Sequence, residues 1–247
     1  MYWMRLIPQM SKRFITTVIC AIVAGITRIL YCWVYPVPVR DSFAYKEIIE
    51  YWIRFGSLPE ESHSPPLGLL FFKIPAEYFD YDVIKTGIAV NVLLGVCIVI
   101  SIVWIAYVIG LSNMESLLVG IIAATHPTLV KLSCQMIRED SYLLFCSLSI
   151  LTTFLFLKNR RNRQIILMSL FAASAYLCRH EGLELIPIIC LLILVCFKDT
   201  FFGRTKRIIL FLGLYAVSIV GITCTLDIPI DYYKAYVRYS ISINGNN

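Results

Sequence analysis

Seven apolar runs divide this chain, at roughly 14–35, 84–109, 115–130, 141–157, 164–178, 182–197 and 207–225. A helix that crosses the hydrocarbon layer needs about 20 apolar residues, within a range of about 17 to 25. Lipid offers no partner to an unpaired backbone amide, so runs of this kind are helices. The runs therefore predict an all-α membrane protein with about seven transmembrane helices. The third to sixth runs are short, which implies a thinned or water-invaded region, or helices that stop beside a cavity. Composition agrees: 59% of the residues are hydrophobic and 15% charged, where a soluble domain carries roughly a quarter charged. One membrane-embedded module over 1–247 is the simplest division. The N-terminus has a basic start but no small-residue cleavage site, and reads as a retained first span.

Net charge is +6, yet the sequence does not suggest a nucleic-acid partner. The basic residues cluster in short loops, where topology explains them. "SKR" precedes the first run, "KNRRNR" separates the fourth and fifth, and "GRTKR" separates the sixth and seventh. Facing all three to the cytoplasm puts the N-terminus inside and the C-terminus outside. The first outer loop is then 36–82, and 226–247 is an outer tail. The conspicuous polar groups fall on that outer side too, including His63, His126 and His180.

The nine cysteines lie mostly inside apolar runs, and no CxxC occurs. They read as small buried hydrophobes rather than metal ligands or a disulfide framework. No P-loop, GxSxG elbow, HExxH or dinucleotide fingerprint is present. No cofactor is implied. A divalent metal is compatible with the sequence, although no ligand cluster of defined spacing occurs.

The outer side carries a set of chemical groups. Asp41 follows the first run and either caps a helix starting at Ser42 or serves as an acid–base group. Behind it, 43–55 alternates apolar residues with Lys46, Glu47, Glu50 and Arg54, a pattern for a helix in the membrane interface. Arg28 sits inside the first run and either snorkels outward or faces the bundle interior. Arg138, Glu139 and Asp140 open the fourth run, and Arg179 and Glu181 occupy the turn before the sixth. Glu184, one turn deeper, suggests a polar cavity. The plain alternatives are a cap by Asp140 and a structural ion pair between Arg179 and Glu181. The chemistry that fits is acid–base and phosphate work: a carboxylate takes a proton from a hydroxyl, and arginines and histidines hold a phosphate.

The order "YPVPVRDSFAYKEIIEYW", "HSPPLGLLFF", "HPTLVKLSCQMIREDSYLLF" and "LCRHEGLELIPIICLLIL" resembles the membrane-embedded GT-C glycosyltransferases. The nearest branch holds the dolichyl-phosphate-mannose protein mannosyltransferases and the aminoarabinose transferases. The resemblance covers most of 14–225. It implies a core of seven helices, an outward-facing site and a sugar donor on a polyprenyl phosphate. It also implies a glycan, lipid or protein acceptor, with membrane lipids around the site. The family's essential first-loop Asp corresponds to Asp41, as general base. Its acidic residue opening the fourth span corresponds to Glu139, with Asp140 in the competing register. Its Arg-x-Glu corresponds to Arg179 and Glu181. On this reading Arg138, His126 and His63 join the substrate-binding set, although the family's His-Pro-Pro is altered here to His63-Ser64-Pro65-Pro66. Relatives usually continue past the seventh span. The ending at "DYYKAYVRYSISINGNN" leaves a minimal module, a fragment or one half of a complex as expectations. A non-catalytic subunit of the same fold is the alternative, and a small transporter a more distant one.

Overall fold

The computed structural model describes residues 3–35, 38–59 and 66–226, with side chains from Lys12 onward. The described residues form ten α-helices, one 3-10 turn and no strand: α1 (Trp3–Val34), α2 (Arg40–Phe55), α3 (Pro66–Phe79), α4 (Val83–Ile109), α5 (Asn113–Thr125), α6 (Pro127–Ser133), α7 (Glu139–Asn159), α8 (Asn162–Cys178), the 3-10 turn (His180–Glu184), α9 (Leu185–Cys196) and α10 (Phe201–Thr225).

The helix ends follow local chemistry. Asp82 caps α4 by accepting from the Lys85 amide at 2.8 Å. A reciprocal capping box between Ser112 and Glu115 starts α5, satisfying amides that have no partner inside the helix. Pro127 breaks the third apolar run. It lacks an amide proton and its ring obstructs the preceding turn, so α5 stops at Thr125 and α6 leaves at 55°.

Four of the helices are long and apolar enough to cross a membrane: the stretch Lys12–Val34, α4, α7 and α10. The bent pair α5–α6 makes a fifth if it counts as one span. The fourth run, expected over 141–157, extends over Glu139–Asn159. α8 has 17 residues and α9 has 12, so at 1.5 Å per residue α9 reaches only about 18 Å.

Three apolar clusters hold the helices together. One joins α1, α4 and α5 around Cys20, Val99 and Ala124. A second seats α2 and α3 on α4 through Ile49, Trp52, Leu69 and Phe72. The third binds α7, α8, α9 and α10 through Phe156, Met168, Ile189 and Phe211. Small residues let α7 and α8 approach closely, and Ser149 Oγ donates to the Met168 carbonyl at 3.1 Å. Such close approach replaces the hydrophobic drive that lipid cannot supply.

A polar knot runs through this apolar interior. Arg28 of α1 is fully buried. Its Nε donates to Ser133 Oγ at 3.0 Å, and its Nη1 to the carbonyls of Ala24 and Ala124 at 3.1 and 3.3 Å. Of the two expectations for Arg28, the structure takes the interior one. Gly95 of α4 makes room, since a Cβ there would overlap Ser133 Oγ and Arg28 Nε. Beside it, buried Asn91 donates from Nδ2 to the carbonyls of Gln135 and Ile137 at 2.6 and 2.7 Å. These bonds fix the turn from α6 into α7.

Candidate active site

That turn delivers Arg138 and Glu139 to one place. Arg179 follows the end of α8 and spans two carboxylates. Its Nη1 donates to Glu139 Oε1, its Nη2 to Glu181 Oε1 at 2.6 Å and its Nε to Glu181 Oε2 at 3.2 Å. The ion pair expected between Arg179 and Glu181 is therefore present, and it is extended to Glu139. Arg138 Nε donates to the Tyr45 hydroxyl at 3.0 Å, with its guanidinium 5.0 Å from that ring's centre. Gly68 of α3 leaves space for the Arg138 stem, whose Cγ would lie 3.1 Å from a Cβ.

The electrostatics follow from the pairing. The hydrogen bonds to Glu181 and the charge of Glu139 raise the Arg179 pKa above its ordinary value. The Arg179 hydrogen bond holds the Glu181 carboxyl below the usual range. Burial pushes His180 down to about 4. Burial also raises the Tyr45 phenol, against the opposing effect of Arg138.

The expected residues are distributed unevenly. Arg138, Glu139, Arg179 and Glu181 form one group. Asp41 is exposed in the first turn of α2, one turn before Tyr45 and within electrostatic range of it. It does not cap the helix: the cap position is Val39, which makes no side-chain bond. Asp140 does not cap α7 either. It is fully buried beside Ser133 and Arg28. His126 is exposed at the α5–α6 bend, and among the described residues no contact joins it to Arg179. Glu184 is exposed at the end of the 3-10 turn. His63 lies outside the described residues, as does the outer tail beyond Leu226. No group of three or more His, Cys, Asp or Glu residues that could hold a metal occurs among the described residues.

The sequence reading missed Tyr45, which lies within electrostatic range of Asp41, Glu139 and Arg179 as well as bonding Arg138. Its signal was available. Ser42, Tyr45, Ile49 and Trp52 are the buried residues of α2, a helical repeat that places Tyr45 one turn from Asp41 on the inward face.

Two of the structure's cavities are lined by helices that also carry site residues. An apolar groove of about 440 Å³ is lined by Leu67, Phe145, Leu170, Phe171 and Ile222, with Ser218. None of the charged residues lines it, and Phe145 lies about 9 Å along α7 from Glu139 at 1.5 Å per residue. A wider cleft of about 810 Å³ lies where α2 meets the end of α3, lined by Glu47, Glu50, Arg54, Glu77 and Asp80 among others.

The model of one protein family, described as dolichyl-phosphate-mannose-protein mannosyltransferase, matches residues 63–223. The match takes in Arg138, Glu139, Arg179 and Glu181, and begins after Asp41 and α2. No curated protein and no solved structure matches the chain.

Proposed function

Since the chain belongs to the dolichyl-phosphate-mannose-protein mannosyltransferase family, we propose that it moves a sugar from a polyprenyl-phosphate donor to an acceptor hydroxyl on the non-cytoplasmic face of a membrane. The family makes it a multi-pass membrane glycosyltransferase of GT-C type. The donor, the side of the membrane and the roles of single residues are our reading.

One observation carries that reading. Arg138 Nη1 and Glu139 Oε2 are buried and have no hydrogen-bond partner among the described residues, and the apolar groove is lined from the same helix α7, at Phe145. A buried polar atom left unpaired costs about 1–3 kcal/mol, a cost a bound ligand would remove. A lipid-linked sugar phosphate has the matching parts: an anion for Arg138 and Arg179, sugar hydroxyls for Glu139, and an isoprenoid chain for the groove.

The chemistry then divides among the residues. The acceptor hydroxyl attacks the anomeric carbon from the face opposite the lipid phosphate, and Asp41 takes its proton as the bond forms. The phosphate departs as a stable anion and needs positive groups rather than a strong acid. Arg138 and Arg179 supply them. α2 and α3 lie in the interface and frame the entrance, with Phe43, Tyr51 and Phe55 of α2 exposed. The chain crosses seven times, with α8 and α9 as short crossings in a thinned region and the N-terminus in the cytoplasm. The acceptor is a glycan, a lipid or a protein.

Incubating the purified chain with a panel of labelled polyprenyl-phosphate sugars tests the proposal. At least one donor is expected to bind and to release its sugar to an acceptor. Binding without release from any donor would establish the non-catalytic alternative, and no binding at all would refute the donor class.

A further inference from the structure

Cys134 closes α6, and its Sγ donates to the Arg28 carbonyl at 3.2 Å. In an α-helix that carbonyl also accepts the amide of the residue four positions on, which here is Cys32. The Cys134 sulfur therefore lies against the backbone of Cys32, and the two thiols are within hydrogen-bonding reach of each other. Both are free thiols. Cys134 is 4% exposed and Cys32 half-buried, near the end of α1.

We propose that Cys32 and Cys134 form a reversible disulfide that ties the end of α1 to the turn leading into α7. Their unequal exposure assigns their parts. The Cys32 thiolate attacks a small-molecule disulfide such as glutathione disulfide, forming a mixed disulfide and releasing one glutathione thiolate. The Cys134 thiolate then attacks the Cys32 sulfur and releases the second. Two protein thiols are oxidised, one disulfide is reduced to two thiols, and the protons leave on glutathione. The reaction runs through sulfur anions; the contact with Cys32 and burial oppose the Cys134 anion, and the Arg28 guanidinium offsets them only in part, so the second step is the slower one. The bridge would enclose all of α2 to α6 and clamp the chain four residues before Arg138. The geometry stands without the functional reading. Only the compartment depends on it, since the non-cytoplasmic side is where disulfides persist.

The test uses the full chain purified in detergent, reduced, then exposed to glutathione disulfide and alkylated. Peptide mapping without reductant is expected to show Cys32 linked to Cys134, in a pair that separates on reduction. Cys97 and Cys224 are expected to stay alkylated. In Cys134→Ser, Cys32 is expected to stop at the glutathione mixed disulfide. Wild-type protein that accumulates this mixed disulfide to the same extent, or that remains fully alkylated at both positions, overturns the proposal. Neither readout involves sugar transfer, so failure here is separate from failure of the transferase reading.

Discussion

Glu139 and Asp140 are consecutive residues that face opposite environments. Glu139 pairs with Arg179 in the charged group, whereas Asp140 is fully buried on the side of Ser133 and Arg28. Consecutive positions on a helix point about 100° apart, so two acidic neighbours cannot share one site at the first turn. The arrangement gives each a separate expected behaviour.

Removing the buried guanidinium is expected to destabilise the fold. Arg28→Met leaves the Ser133 hydroxyl and the Ala124 carbonyl without their buried donor and takes away the positive charge beside Asp140, and a loss of about 1.5–3 kcal/mol is expected. The double variant Arg28→Met/Asp140→Leu is expected to regain part of it, since it removes the buried carboxyl as well. Thermal melting in detergent measures both. Equal melting of wild type and Arg28→Met would show that the knot contributes no stability.

At the cleft, Arg138→Gln and Arg179→Gln are each expected to leave the helices intact and to weaken donor binding. Charge-assisted hydrogen bonds contribute about 1.5–3 kcal/mol, or roughly 10- to 100-fold in affinity. Titration with a labelled donor is the measurement. Unchanged affinity in both variants would remove these arginines from the phosphate site.

Asp41→Asn is expected to insert, fold and bind donor, yet to transfer sugar at least about 100-fold more slowly, the lower end of general-base contributions. Asp41 makes no cap bond, so the structural loss is limited to its charge near the start of α2, about 0.3–1 kcal/mol. Single-turnover rates with saturating donor separate the two effects. Transfer at the wild-type rate would exclude Asp41 as the base and turn attention to Glu139.

His180 is expected to give stability a pH dependence. Burial lowers its folded-state pKa from the ordinary 6.5 to about 4, so the fold holds it neutral where an unfolded chain already protonates it. The unfolded state binds more protons in that window, and stability therefore falls as pH drops from about 6.5 to about 4. Melting curves across this range should show a shallower slope in His180→Gln than in wild type. Parallel slopes would place the titrating group elsewhere.

Topology is checked by accessibility. In a chain freed of its native cysteines, Ser57→Cys is expected to react with an impermeant reagent from outside and Arg160→Cys only after permeabilisation. The Lys/Arg bias of the loops requires this order, and the reverse labelling pattern would invert the orientation.

The sequence made the helical class and most boundaries readable, because long apolar runs admit one solution in lipid. The pairing of Arg179 with Glu181 was readable from their spacing. The divergence of Glu139 and Asp140 was not, because it depends on where α7 begins. A shift of one residue there would exchange their faces. The bend after Thr125 was signalled by Pro127, but the apolar pattern ran through it and the expected span at 115–130 ignored the break. Asn91 stood as a lone amide in a long apolar run. Its partners are backbone carbonyls at Gln135 and Ile137, and a backbone partner leaves no mark in residue identity.

The acceptors of Arg28 also bear on how the chain is built. Two of them, the Ala124 carbonyl and the Ser133 hydroxyl, lie 96 and 105 residues downstream. When α1 first leaves the ribosome, neither has been synthesised. An arginine within an isolated helix disfavours insertion, by up to about 2.5–3.5 kcal/mol at the helix centre, and Arg28 lies six residues from the end of the span Lys12–Val34, so nascent α1 has reason to linger at the translocon or the headgroup layer. Its final seat becomes available only after α5 and α6 emerge. Within this chain, an early helix thus depends on later ones for the partners of its buried arginine.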